Sequence, residues 1–383
     1  MRVLLTTDWN PTSVNGVVTS VNNLKSGLEA RGHQVRVLTL SNTSHSYIDE
    51  DYYYMGSSNA RIIYPGLRVR TTLSHPIVKE VLKWSPDIVH SNCEFSTFYP
   101  AMKVAHQLHV PLVHTYHTVY EDYTHYFCPS ARLGRFAVQH FSKFIAGITD
   151  CVITPTEKVK QLLLDYHVTQ KLVVIPTGIS CSKFHKKIST EERNAKRKAL
   201  GIPSGNLVLL FVGRLSKEKN CEELLRFMSV LRDKPVTLLI VGDGPYGDEL
   251  RKEAASLNLS ENVIFTGMIS PDEVSEYYQL GDLFTNASTS ETQGLTYIEA
   301  ISSGLPLLCR ADSCLDGVVY ENENGWEYHS EDEFMEKIRL CLEQPELLAS
   351  FRKRSLEIGE DFSVPVFARK VEELYLELIG DNT

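Results

Sequence analysis

No stretch of this chain is apolar for the roughly 18–20 residues that a membrane-spanning helix needs, and no low-complexity tract interrupts it. Its eight cysteines, at 93, 128, 151, 181, 221, 309, 314 and 341, form no C-x-x-C pair. Set mostly in apolar or helical surroundings, they read as reduced, buried thiols of a cytoplasmic protein. No H-E-x-x-H and no close His–carboxylate spacing offers zinc ligands, so no metal site is read. Positive charge is short as well: 39 Lys and Arg face 48 Asp and Glu, and the net charge of −9 argues against general nucleic-acid binding. The start, Met1 to Asp8, reads as a short strand followed by an acid rather than as a signal peptide.

What is present is enough chain for two domains, since 383 residues exceed one compact core. Charge is unevenly shared. Residues 1–180 hold 16 Lys/Arg against 13 Asp/Glu, and the remainder holds 23 against 35. The mildly basic half suits an anionic surface, although scattered charge gives the same tally.

Strand-like and helix-like segments alternate throughout. Strands are expected at Arg2–Thr6, Gln34–Leu40, Arg61–Tyr64, Ile88–Ser91, Leu112–His114, Cys151–Pro155 and Leu172–Ile175, with helices such as Val17–Arg31 and Ser96–Leu108 between them. The second half repeats the scheme at Leu207–Val212, Thr237–Val241, Val263–Thr266, Leu283–Asn286 and Pro306–Leu308. The pattern predicts an α/β chain of two doubly wound parallel sheets, with the site at strand carboxyl ends in the cleft between them. A boundary is expected near Pro176–Ile179, and the helix after Asp361–Pro365 could cross back onto the first domain.

The most informative segment is Ser290-Glu291-Thr292-Gln293-Gly294-Leu295-Thr296-Tyr297-Ile298-Glu299, two carboxylates eight residues apart. A helix beginning near Leu295 points its free N–H groups towards Glu291, and that end binds anions such as a diphosphate. Carboxylates beside a diphosphate need hydroxyls to bind, which suggests a nucleotide sugar. A solvated Glu at a helix start plus an ordinary surface Glu gives the same spacing. Arg214 leaves a buried strand and Lys219 follows one loop later, a pair of cations suited to a diphosphate, though also common in strand–helix loops.

Val241-Gly242-Asp243-Gly244-Pro245-Tyr246-Gly247 is formally G-x-G-x-x-G. The next strand lacks the terminal acid that would grip a ribose, so Gly242 and Gly244 read as a tight turn lining a nucleotide pocket, not a dinucleotide site. Gly16 opens the first helix, where a phosphate could approach its N–H, or it is a plain turn glycine. His117 falls just past a strand's carboxyl end, whereas His114 reads as a core histidine. Asp49-Glu50-Asp51 reads as a solvated loop.

Two stretches fit a membrane-contacting pattern. Gly66–Leu73 alternates apolar residues with Arg68 and Arg70. The segment from Arg132 to Phe144 places Phe136, His140 and Phe144 on one helical face flanked by Arg132, Arg135 and Lys143. A core-packed amphipathic helix carries the same pattern.

Taken together, Asn15-Gly16-Val17, the His117 segment, Gly213-Arg214-Leu215 with Glu218-Lys219, Val241–Pro245 and the Glu291…Glu299 pair resemble the family 4 retaining glycosyltransferases of the GT-B fold, in order and over nearly the whole chain. Within that family, the run His114-Thr115-Tyr116-His117-Thr118, then Tyr120-Glu121-Asp122-Tyr123 and His125-Tyr126, is similar to bacterial 1,2-diacylglycerol 3-glucosyltransferases. The resemblance implies an N-terminal acceptor domain over 1–180 with a crossover helix at 365–383, and a donor domain over 181–364.

It also implies roles. Arg214 and Lys219 would neutralise the diphosphate, and Glu299 would hold the ribose. Glu291, with the backbone of Gln293, Gly294, Leu295 and Thr296, would fix the sugar and distal phosphate. Gly16 would cap the diphosphate, His117 would line the reacting face, and Asp8, Tyr120 and Asp122 would lie on the acceptor side. A UDP-hexose is the implied co-substrate, with no obligatory cofactor and Mg2+ at most a stimulant. Diacylglycerol is the implied acceptor, on the inner face of the cell membrane. The alternatives are phosphatidylinositol, a glycosylated lipid or a soluble sugar or thiol as acceptor, or a non-catalytic nucleotide-sugar binder on the same scaffold.

Overall fold

The computed structural model describes residues 1–13, 15–60, 68–70, 76–121, 130–185 and 187–381. The chain divides into two compact units, Met1–Ile179 with Val364–Thr383, and Ser180–Ser363.

The first unit is built on an eight-stranded sheet. Its strands are β1 (Arg2–Thr6), β2 (Gln34–Leu40), β3 (Tyr47–Asp49) and β4 (Tyr52–Met55), then, after a small β5–β6 hairpin (Ser58–Asn59 and Arg68–Val69), β7 (Ile88–Ser91), β8 (Leu112–Thr115), β9 (Cys151–Thr154) and β10 (Lys171–Val174). The order is β10-β9-β8-β7-β1-β2-β4-β3, parallel except for the β3–β4 pair. The order reverses at β1, which lies between β2 and β7, so the carboxyl ends of β1 and β7 flank the switch point where such sheets take ligands.

Sequence periodicity did not foresee β3 and β4. They form a hairpin in which Tyr47 stacks on Tyr54 with ring centroids 4.4 Å apart; of the expected loop Asp49-Glu50-Asp51, Asp49 ends β3 and pairs with Tyr52, and Glu50-Asp51 is the turn, with Glu50 at φ 47°. The strand expected at Arg61–Tyr64 lies outside the described residues.

The last helix, Val364–Asp381, belongs to this unit. Phe367, Val371, Leu374 and Leu378 recur at helical spacing and enter the same core as Val21, Leu24 and Leu28 of the Gly16–Ala30 helix. Tyr375 reaches deeper, its hydroxyl 2.6 Å from Nδ1 of buried His90, whose Nε2 lies 2.7 Å from Thr115 Oγ1.

The second unit carries a six-stranded, all-parallel sheet. It comprises β11 (Leu207–Val212), β12 (Val236–Val241), β13 (Val263–Phe265), β14 (Leu283–Asn286), β15 (Leu307–Arg310) and β16 (Gly325–Tyr328), ordered β13-β12-β11-β14-β15-β16. Every residue of β11 and β12 is buried, as expected of strands covered on both faces. Here the switch point lies between β11 and β14. The fold is the GT-B type of two Rossmann-like parallel-sheet units. Among the described residues no helix is long and apolar enough to cross a membrane.

Candidate functional site

In the second unit, the loops after β11 and β14 bring the distant parts of the motif set together. Arg214 is exposed directly after β11. One turn later, the 3-10 helix Lys217–Lys219 ends at Asn220, at φ 51°. That turn aims Lys219 at the following loop, where its Nζ pairs with Glu291 Oε1. Burial alone would lower the Lys219 ammonium, but the Glu291 carboxylate outweighs it and holds Lys219 above its ordinary value. The loops are also joined by Ser288 Oγ donating to the Glu218 carbonyl at 3.3 Å and by Asn220 Nδ2 donating to the Ala287 carbonyl at 3.4 Å.

After Glu291 the chain turns through buried Gln293 and Gly294, at φ 70°, into the helix Leu295–Ser302. A Cβ on Gly294 would sit 2.4 Å from the Tyr297 ring, so the turn tolerates no side chain. The cap residue offers no side-chain acceptor to the first turn, whose N–H groups are the anion-binding element of such an end. Glu299, on the second turn, is half-buried and accepts from the Tyr278 hydroxyl at 2.7 Å. Burial raises its carboxyl to about 7, against the lowering effect of that hydrogen bond.

Gly242 and Gly244 have a packing reason. A Cβ on Gly242, at φ 129°, would stand 2.0 Å from the Gly213 carbonyl oxygen, and one on Gly244 would stand 2.3 Å from that of Leu215. The two glycines press their loop onto the one that carries Arg214, and Leu215 N–H donates to the Asp243 carbonyl at 3.0 Å. They shape the wall beside Arg214.

In the first unit, the residues after β1, β7 and β8 form a polar cluster. His117 Nε2–H donates to Asn92 Oδ1 at 3.0 Å. Burial lowers the imidazole to about 4, with Glu94 opposing and His114 assisting, so His117 is neutral at physiological pH. Glu94 is the member sequence reading did not single out. It is 5% exposed and accepts from the Tyr120 hydroxyl at 2.5 Å and from His114 Nε2 at 3.2 Å. Its position just past a strand's carboxyl end was the available signal, the same one that marked His117. His114 is buried as expected, but its Nδ1 has no hydrogen-bond partner among the described residues.

Asp8 accepts from the backbone N–H groups of Ser96 and Thr97 at 2.9 and 2.7 Å. It therefore caps the helix Phe98–Leu108, and burial outweighs these bonds to raise its carboxyl to about 6. Gly16 is exposed at the first turn of its helix, where Asn15 Oδ1 accepts from Val18 N–H at 2.9 Å. Asp122 lies outside the described residues.

The two basic stretches differ. Arg68 donates to the Ser57 hydroxyl and carbonyl at 2.6 and 2.8 Å, and Arg70 donates to the Gly56 carbonyl. Both guanidinium groups are thus turned onto the chain beneath them. By contrast, the helix Ala131–Ile148 buries Gly134, Val138, Ser142 and Ile145 and leaves Arg132, Arg135, Lys143 and the rings of Phe136 and Phe144 exposed. Leu133, Phe136 and Phe144 are 62%, 57% and 55% exposed. Among the described residues no group of three or more His, Cys, Asp or Glu side chains is placed to hold a metal ion.

Comparison with known proteins gives matching profiles in both halves. The profile described as Glycosyltransferase Family 4 matches residues 14–183, and that described as Glycosyl transferases group 1 matches residues 192–357. The chain is 34% identical to the alpha-monoglucosyldiacylglycerol synthase of Streptococcus pneumoniae, over 100% of this chain and 87% of that protein. It is 33% identical to the enzyme of the same name from Acholeplasma laidlawii, over 96% and 95%. Among solved structures, the sucrose-phosphate synthase of Thermosynechococcus elongatus superposes with a TM-score of 0.77 at 21% identity, covering 99% of both chains. Anabaena HepE in complex with UDP-glucose superposes with a TM-score of 0.73 at 17% identity, covering 98% of this chain and 100% of that one.

Proposed function

Since the chain belongs to the family 4 glycosyltransferases of the GT-B fold, we propose that it moves glucose, or galactose, from a UDP-sugar to the 3-hydroxyl of diacylglycerol with retention of the α configuration. The observation that carries this reading is the near full-length similarity to two alpha-monoglucosyldiacylglycerol synthases. The exposed cationic and aromatic face of the Ala131–Ile148 helix supports a lipid acceptor taken from an anionic surface on the inner side of the cell membrane.

The chemistry follows from the leaving group. As the bond from the anomeric carbon to the diphosphate oxygen breaks, positive charge grows on the sugar and negative charge on UDP. Arg214, Lys219 and the N-terminus of the Leu295–Ser302 helix stabilise the diphosphate, a contribution of about 3–4 kcal/mol for one such group. Glu299 accepts from the ribose hydroxyls, and Glu291 orients Lys219 and the sugar. The acceptor oxygen bonds to the anomeric carbon on the face that UDP leaves, and its proton passes to the departing phosphate oxygen. Neutral His117 lines that face as a hydrogen-bonding group. The residues supply this charge stabilisation themselves, so we assign no obligatory cofactor and treat Mg2+ as a non-essential stimulant.

The test is release of free nucleoside diphosphate from UDP-glucose, UDP-galactose and GDP-mannose, each with and without diacylglycerol in anionic liposomes. Lipid-dependent UDP release from one donor supports the reading, and NMR of the product should give an α linkage. Turnover without lipid dependence moves the acceptor to a soluble molecule, and a β-linked product overturns retention.

A further inference from the structure

The loop after β7 turns two neighbours in opposite directions. Ser91 to Glu94 are buried, and Phe95 is 47% exposed. The Phe95 ring stacks on Phe141 of the Ala131–Ile148 helix, with centroids 5.7 Å apart and planes 15° from parallel. It meets Tyr120 edge-on at 6.0 Å, and Tyr120 lies 6.4 Å from Phe141. Three rings thus form one cluster, and Glu94 fixes its polar tip by accepting from the Tyr120 hydroxyl. On the same helix as Phe141, Leu133 and Phe144 carry the apolar surface outward, with Arg132 and Lys143 exposed beside them.

An apolar surface that runs from a held hydroxyl at one end to exposed cations at the other has the chemistry of an amphiphile drawn from an anionic bilayer. A soluble sugar could stack on such rings, but it would have no use for the exposed Leu133 and Phe144 that lie between them and the cations. We infer that Phe95 and Phe141 seat a fatty acyl chain of the acceptor, with its hydroxyl end presented at Tyr120. This rests on the lipid-acceptor reading and adds the residues that would select for the chain. Tyr120 is then an acceptor contact, and Glu94 is a positioning residue that acts through it.

The experiment compares 1,2-dioctanoylglycerol with 1,2-dioleoylglycerol in nonionic detergent micelles, which remove the contribution of surface charge. For Phe95→Ala, KM for either acceptor should rise about tenfold, the loss of one aromatic contact of about 1.4 kcal/mol. Turnover number and KM for the donor should stay within about twofold. Phe95→Leu, which keeps apolar area, should recover most of the affinity, and Phe141→Ala should behave as Phe95→Ala does.

Unchanged acceptor KM in Phe95→Ala overturns the seat. So does a parallel loss of turnover, donor affinity and melting temperature in both Phe95 variants, which marks a structural role. Lipid-independent UDP release by the unaltered protein removes the lipid-acceptor reading itself, whereas lipid dependence with an indifferent Phe95→Ala removes the seat alone.

Discussion

The Lys219 ammonium and the Glu291 carboxylate, 72 residues apart in sequence, meet as an ion pair between the loops after β11 and β14. Their side chains are 20% and 13% exposed, so solvent screens the pair only in part. The pairing keeps Lys219 charged and aimed, and it places a carboxylate beside a cation that a diphosphate would share.

Because the two side chains act as a unit, Lys219→Ala and Glu291→Gln should each lower kcat by about 10²–10³. The double variant should lose about as much as either single one, not the product of the two. Single-turnover rates with saturating donor make the comparison.

Glu299 sets a pH dependence. Its folded-state carboxyl lies at about 7, against an ordinary 4.5. The folded chain therefore holds a proton there that the unfolded chain has released, and the stability it contributes is lost as pH rises from 4.5 towards 7. Donor binding has the opposite sign, since a ribose diol is best held by the ionised form. The Kd for UDP-glucose should fall as pH is raised through about 7, and Glu299→Gln should flatten that dependence while weakening binding about tenfold. Calorimetric titration at several pH values reads both effects.

His117, lowered by burial to about 4 from an ordinary 6.5, should contribute no limb near neutral pH to the rate profile. It should instead sensitise the fold to acid. Below 6.5 the unfolded chain binds a proton that the folded chain refuses until about 4, so stability falls across that window. Urea melts at two pH values within and above it should show a smaller acid loss for His117→Gln. That variant should also lose at least about tenfold in kcat.

Gly242→Ala and Gly294→Ala test backbone geometry. Each adds a Cβ where the chain has positive φ and a neighbour stands 2.0 or 2.4 Å away. Gly294→Ala should weaken donor binding by displacing the helix start. Gly242→Ala, blocked by a backbone carbonyl, should lower the melting temperature by several degrees. Thermal melts with and without UDP separate the two.

What the sequence made legible follows from how local each signal is. The strands β11 and β12 announce themselves as unbroken apolar runs, and Gly294 before Leu295 marks a helix start. The β3–β4 hairpin escaped because Tyr47 meets Tyr54 across the strands, a contact that no single-strand pattern displays. Glu94 escaped because nothing near it in sequence tells that Tyr120 and His114 will converge on it. The Lys219–Glu291 pair was visible as two motifs and invisible as one interaction. Asp8 stood just past the expected strand end, yet its bonds to Ser96 and Thr97 depend on β1 and β7 being neighbours, a fact of topology and not of spacing.

The Val364–Asp381 helix follows the whole second unit in sequence but fills the core of the first. On the ribosome this reverses the usual order, in which N-terminal domains finish first. Ser180–Ser363 can close as soon as it has emerged, whereas the earlier unit keeps Val21, Leu24 and Leu28 uncovered until the Val364–Asp381 helix has been made. Of the two units, the one begun earlier is the one completed later.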